Sequence, residues 1–249
     1  MDERFHAFER TVEDWHWWYR GRRAILDATM AGLGLDPARA RVLDVGCGTG
    51  GSAPVLARWG RVVALDRRQQ SFALAMDRPY AHRVVGEADR LPFADGAFDA
   101  VVALDILEHL DDDAAGAREI RRVLKPGGAA VVFVPALSIL WGQNDDFSHH
   151  KRRYTAAGLR RTLAAGGLRP GPAGYFNLLL FLPTLLARLA ERVAPRAVGD
   201  FEYRREPSWI NEVLARTFAL ELPVLRRRPL PLGTSAWCVA RRIDDRSSG

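Results

Sequence analysis

Residues 42–51, Val-Leu-Asp-Val-Gly-Cys-Gly-Thr-Gly-Gly, constrain the fold most, because a short apolar strand runs straight into glycines that let backbone approach a ligand. Gly46, Gly48 and Gly51 satisfy the dinucleotide spacing G-x-G-x-x-G, so the glycines alone do not separate one nucleoside ligand from another. Asp44 does. A pyrophosphate over this turn would face a carboxylate at the strand's end and be repelled, whereas a cationic nucleoside is attracted. S-adenosylmethionine, with an ammonium, a sulfonium and no phosphate, is the ligand that this charge favours.

On these residues the segment Leu43-Asp44-Val45-Gly46-Cys47-Gly48-Thr49-Gly50 closely resembles the first motif of the class I S-adenosylmethionine-dependent methyltransferases, of the kind that act on small molecules. The resemblance implies that backbone at Gly46, Cys47 and Gly48 lines the cofactor, with Asp44 near its methionine amino group. Asp66 closes the second strand sixteen residues after Gly50, close to the spacing at which a carboxylate receives ribose hydroxyls, and Arg67 follows it. Gly86-Glu87-Ala88-Asp89-Arg90 resembles the segment flanking adenine, which assigns Asp89 to the exocyclic amine and the backbone of Arg90 to a ring nitrogen. Leu104 and Asp105 then abut the cofactor beside the transferred methyl.

Strand and helix signals alternate over residues 41–135, which implies a parallel sheet covered by helices. Strands are expected at residues 62–66, 83–85, 98–104 and 129–134, with Lys125-Pro126-Gly127-Gly128 turning a helix at 114–124 into the last. Thr155 caps a helix through Ala165, residues 208–218 read as another helix, and 235–240 as a closing strand. The fold class is α/β: a Rossmann-like, seven-stranded, mostly parallel sheet with an antiparallel strand near its edge and helices on both faces. Residues 1–40 form an N-terminal helical flap on a methyltransferase domain at 41–249, with a helical cap at about 178–218.

Within the flap, residues 5–33 read as helical and carry Trp15, Trp17, Trp18 and Tyr19 beside Arg20, Arg22 and Arg23. Two readings stand side by side: a helix docked through its tryptophans, or one closing over the cofactor with Tyr19 or Arg23 near the methionine carboxylate. In the cap, residues 178–187 are intensely apolar but far short of the ~20 residues a membrane span needs. That stretch is a core helix, the wall of an apolar substrate pocket, or an interfacial segment.

Composition bounds the rest. Two cysteines, Cys47 and Cys238, cannot make a disulfide framework, and the charged first residues lack a signal peptide's apolar segment, so a cytoplasmic location is expected. The net charge of +6 and the arginine clusters after Trp141, including Arg204-Arg205, could attract nucleic acid, anionic lipid or an acidic substrate. Nucleic-acid methylation is disfavoured, because the fourth strand continues into Asp105-Ile106-Leu107-Glu108 rather than the Asn/Asp-Pro-Pro-aromatic loop of base amino methylases. A noncatalytic or cyclase-like relative binding the same cofactor remains the other alternative, and no oligomeric state follows.

The acceptor side falls to the loop 141–154, whose His149-His150-Lys151-Arg152-Arg153-Tyr154 resembles a subgroup acting in small-molecule or glycan pathways. Methyl transfer needs in-line alignment, and a hydroxyl acceptor must also lose a proton. His149 or His150 is the candidate base, with Asp145 or Asp146 as orienting partner; the competing reading is alignment alone. Trp141, Tyr154, Tyr175 and Phe176 are the candidate substrate contacts. Asp105, Glu108 and His109 resemble a divalent-metal set of some quinone-biosynthesis methyltransferases, but Glu-His-Leu also occurs in metal-independent relatives, and no metal is expected. The acceptor is then a small, lipophilic molecule methylated on oxygen, reached without a transmembrane segment though with room for peripheral membrane contact.

Overall fold

The computed structural model describes residues 3–193 and 208–243. Its elements run α1 (Glu3–Val12), α2 (Trp17–Ala31), β1 (Arg41–Val45), α3 (Ala53–Leu56), β2 (Arg61–Asp66), α4 (Gln69–Leu74), β3 (His82–Val85), β4 (Phe98–Leu104), α5 (Asp113–Val123) and β5 (Leu124–Pro135). Then come α6 (Gln143–Phe147), α7 (Ala156–Ala165), β6 (Arg169–Phe176), α8 (Phe181–Val193), α9 (Ser208–Ala219), α10 (Leu222–Leu225) and β7 (Ser235–Arg241). Single 3-10 turns lie at Leu107–His109 and Ser138–Leu140.

The seven strands form one sheet in the order β3-β2-β1-β4-β5-β7-β6. β7 is antiparallel to both its neighbours, and the pairs β1–β2, β1–β4, β2–β3 and β4–β5 are parallel. This is the expected fold class, and β6 at residues 169–176 is the strand that periodicity did not place. Its segment Arg-Pro-Gly-Pro-Ala-Gly-Tyr-Phe lacks an apolar run, and its register shifts between Pro170 and Ala173. It becomes a strand because β7 offers an open edge.

Strand side chains alternate between two cores, as period two requires. Leu43, Val45, Val101, Ala103, Val132 and Val134 join Ile120, Leu159 and Leu163 of α5 and α7 on one face. Val42, Ala100, Val102, Val131 and Phe133 meet Ile25, Leu26, Phe72 and Phe218 on the other. Asp99, between the two sets, ties strand edges: it accepts from the Arg41 amide at 2.9 Å and from Lys125 Nζ at 2.8 Å. Thr155 caps α7 as expected, accepting from the Gly158 amide.

The N-terminal segment is not one helix. It breaks at residues 13–16, where Glu13 turns inward and the His16 imidazole, buried, accepts from the Trp18 amide to cap α2. Burial pushes His16 down to about 4, so it sits there neutral. Helices α2 and α9 cross where Gly21 lies against the Phe218 ring; a Cβ at Gly21 would stand 2.1 Å from Phe218 Cδ1. Phe218 is fully buried and cannot retreat. Gly21→Ala is therefore expected to cost about 1–3 kcal/mol in urea unfolding, against a slight gain if the site were open. Helices α8 and α9 fall within residues 178–218, and residues 194–207 between them, with Arg196, Arg204 and Arg205, lie outside the described residues.

Candidate active site

A cavity of about 1050 Å3 opens at the carboxyl ends of β1, β2 and β4, where the strand order reverses and open α/β sheets bind their ligands. That volume holds a nucleoside together with a second small molecule.

The glycine turn forms its floor. Gly46, Gly48 and Gly50 have φ of 67°, 52° and 81°, in the left-handed region that glycine enters without strain. A Cβ at Gly48 would meet nothing within 4 Å, so that backbone faces the open cavity, whereas one at Gly46 would stand 1.9 Å from Ile106 Cδ1. Asp66 braces the turn: its carboxylate accepts from the amides of Gly48 and Arg68, both at 2.9 Å. Asp44 is buried and accepts from the Tyr80 hydroxyl at 2.7 Å. Burial, with the Asp66 charge adding to it, lifts Asp44 to about 6. Burial also pushes the Cys47 thiol far up, which removes it as a nucleophile.

Glu13, which periodicity did not single out, closes the turn from above. Its carboxylate accepts from Thr49 Oγ1 at 2.6 Å and from Arg78 at 2.5 Å, and a Cβ on Gly51 would come within 2.6 Å of it. The N-terminal helices therefore rest on the cofactor side, and Tyr19, Arg22 and Arg23 line the cavity. Tyr19 donates to Glu9, and Arg23 to the carbonyls of Glu13 and Asp14. Arg22 pairs with Asp105, a non-glycine residue at φ 57° that turns the end of β4 into the cavity. A sequence pattern gives no sign of that pair, because its members are 83 residues apart.

Of the sequence candidates, Tyr19, Arg23, Asp44, Gly46, Cys47, Gly48, Asp66, Arg67, Leu104, Asp105, His149 and His150 line this one cavity. Asp89 and Arg90 are exposed outside its lining, and Gly86, Glu87 and Ala88 supply that wall instead. The reason is a tight reversal in which Glu87 bridges Arg90, so the loop tip points outward. Trp141, Tyr154, Tyr175 and Phe176 are also absent from the lining. Trp141 donates to Asp146, and Tyr154 is buried with its hydroxyl on Asp113. Tyr175 accepts from the Ala156 amide, and Phe176 is wholly buried, 5.1 Å from the Phe133 ring. Residues 175 and 176 serve the sheet because β6 pairs with β7 through them.

The acceptor-side loop folds around one buried carboxylate. Asp145, 0% exposed, receives Arg153 through two parallel bonds at 2.8 and 2.9 Å and the Gly142 amide at 2.9 Å. His150 Nδ1 lies 2.8 Å from Asp145 Oδ1. Against its burial, these His150, Arg153 and Gly142 contacts hold Asp145 down at about 2, so it is charged at any working pH. Because the charged Asp145 can only accept, Nδ1 of His150 is the donor in this pair, which leaves Nε2 as the other ring nitrogen. His149 is exposed at φ 56°.

Behind His150 stand His109, with ring centroids 4.8 Å apart, and Glu108. Burial, then the neighbouring His150, lowers His109 to about 4. Glu108 is 0% exposed and, among the described residues, neither carboxylate oxygen has a hydrogen-bond partner; burial raises it well above the usual range and favours its neutral form. Among the described residues Glu108, His109 and His150 bring ligand-type atoms within 4.8 Å of one another. Asp105, of the sequence-level metal set, is held by Arg22 instead.

Comparisons with known proteins agree with this geometry. The family described as "Methyltransferase domain" matches residues 43–132. The 2-methyl-6-phytyl-1,4-hydroquinone methyltransferase of Synechocystis sp. is 36% identical over 125 residues, 48% of this chain and 37% of that protein. The demethylmenaquinone methyltransferase of Beutenbergia cavernae is 45% identical over 113 residues, 45% of each chain. The chain thus spans less than half the length of these curated relatives. A chain from the Haloferax volcanii complex of the Trm112 activator with a methyltransferase superposes with a TM-score of 0.64 at 20% identity, covering 97% of this chain and 96% of that one, which is a likeness of fold. The matched segment holds the glycine turn and most of β1 to β5, so that part of the chain is similar to a methyltransferase domain, and the sheet order is that of the Rossmann-like class I methyltransferase fold.

Proposed function

We propose that the protein transfers a methyl group from S-adenosylmethionine to a hydroxyl oxygen of a small, lipophilic, quinol-type acceptor. The observation that carries this reading is a shared cavity: His150, held by Asp145, lines the same cavity as Asp44, Gly48 and Asp66. The curated relatives are named for hydroquinone and menaquinone-type molecules, which supports the acceptor class.

The residues fit the cofactor. Gly48 leaves open space at the floor, Asp44 offers a buried carboxylate suited to a cationic amine, and Asp66 and Arg67 line the same cavity, Asp66 with a carboxylate suited to ribose hydroxyls. S-adenosylmethionine supplies an electrophilic methyl on sulfur. Tyr19, Arg23, Leu104 and Asp105 line the same cavity. Asp145 orients His150, whose Nε2 takes the hydroxyl proton. The family's alignment and exclusion of water are left to the flap and the cavity walls. The two cysteines are free thiols, in keeping with a cytoplasmic location.

Product mass and NMR after incubation with S-adenosylmethionine and a reduced polyprenyl naphthoquinone test the reading. One added methyl on oxygen is expected. A ring-carbon methyl would correct the atom, and methylated RNA or a cyclised, unmethylated product would overturn the function. The reading assigns no metal, so chelation is expected to leave turnover unchanged; loss restored by a divalent cation would make His150 a ligand rather than a base. Asp66→Ala is expected to weaken cofactor binding by about tenfold or more in calorimetry, and unchanged affinity would remove Asp66 from the ribose.

A further inference from the structure

A helix on a globular protein ordinarily buries its apolar stripe and shows water its charges. Helix α8 does the reverse. Thr184 and Arg188 line the cavity, and Arg188 pairs inward with Glu191 at 2.8 Å. Leu182, Leu186 and Leu189, one stripe at i, i+4, i+7 spacing, are 60%, 57% and 41% exposed. Pro183, Ala187 and Ala190 are exposed as well, so every exposed residue from 179 to 191 is Leu, Pro or Ala. Leu179 precedes the stripe, and Ile139, whose carbonyl accepts from Arg192, extends it sideways; both are exposed.

We propose that this face of α8 docks the protein on an anionic lipid membrane, with the helix lying in the interface plane and the cavity directly behind it. Three observations select that occupant. The exposed Arg192 ends the stripe, and the chain's net charge of +6 attracts an anionic surface while repelling a second copy of itself. At 13 residues α8 is too short to cross a bilayer, and among the described residues no helix is long and apolar enough to do so; it is suited to lying on one. The helix is also a shared wall, apolar toward the outside and cavity-lining on its other side, so a lipophilic acceptor would pass from membrane to cavity around a single element. This last point rests on the acceptor reading above; the docking itself does not.

Sedimentation of the full chain with phosphatidylcholine vesicles, with and without about one-third phosphatidylglycerol, tests the proposal. Binding to the anionic vesicles, weakened by added salt, is expected. Leu182→Ser/Leu186→Ser/Leu189→Ser is expected to lower it roughly tenfold or more while cofactor binding, measured by calorimetry, stays intact. Should that variant fail to bind cofactor, Leu186→Ser alone and hydrogen exchange of α8 with and without vesicles replace it, and protection of residues 181–193 by vesicles is then required. No vesicle binding, equal binding by the variant, or a dimer in light scattering that the variant dissolves would each overturn the proposal. Vesicle binding without quinol methylation would sink only the acceptor reading, and methylation in detergent without vesicle binding would sink only the docking.

Discussion

His150→Ala is expected to lower turnover of a quinol acceptor by about 10²–10⁴-fold, the range for loss of a positioned general base, with cofactor affinity unchanged. The expectation follows from the side chain's surroundings. His150 lies in the cavity lining with Nδ1 on Asp145, and Asp145 keeps Arg153 and the Gly142 amide when the imidazole is removed. The loop is therefore expected to stay folded, and the loss to fall on kcat rather than on binding. Asp145→Asn should lower turnover as well, but it also takes an acceptor oxygen from Arg153 and the Gly142 amide, so its thermal unfolding is measured beside its turnover. His149→Ala should leave turnover largely intact, since Asp145 orients His150 and not His149. Full turnover in His150→Ala would show that alignment alone suffices.

Cofactor affinity is expected to fall as pH drops below about 6, approaching tenfold per pH unit, and Asp44→Asn is expected to flatten that profile while weakening binding by about 10- to 100-fold. The cause is the buried position of Asp44: desolvation raises it to about 6 in the ligand-free protein, although the Tyr80 hydroxyl favours the charged form. A cationic amine beside it requires the carboxylate, so binding releases a proton wherever Asp44 is still protonated. For folding the sign is opposite. The folded chain holds this proton more tightly than the unfolded one, so Asp44 costs stability as pH rises from the ordinary carboxylate range through about 6. Calorimetry across pH 5–8 in two buffers of different ionisation heat reads both the affinity and the proton. A flat profile in the unmodified protein would remove Asp44 from the amine.

The parallel sheet and its glycine turn were readable from sequence because their determinants are local. A strand end, a left-handed glycine turn and a carboxylate at a set spacing recur within residues 42–66, and each strand from β1 to β5 carries its own apolar run. Those rules weaken where a residue's neighbour is remote. Glu13 reads as one more charge in a polar helix, yet it meets Thr49 and Arg78 across 36 and 65 residues. Tyr175 and Phe176 read as loop aromatics near an acceptor until pairing with β7 commits them to the sheet. Asp89 failed to reach the cavity for a local reason, the reversal joining Glu87 to Arg90, which a spacing rule does not encode.

By itself the sequence determined the Rossmann-like fold and the glycine turn at the end of β1, since period-two burial and the φ freedom of glycine are written residue by residue. Tertiary structure alone decided which histidine is oriented and which face of the apolar helix is outward. Asp145 becomes a 0%-exposed anchor only when Arg153, Gly142 and His150 close around it. The leucines of α8 could have been core; they are exposed because the cavity takes the helix's polar side and, among the described residues, nothing packs over the stripe.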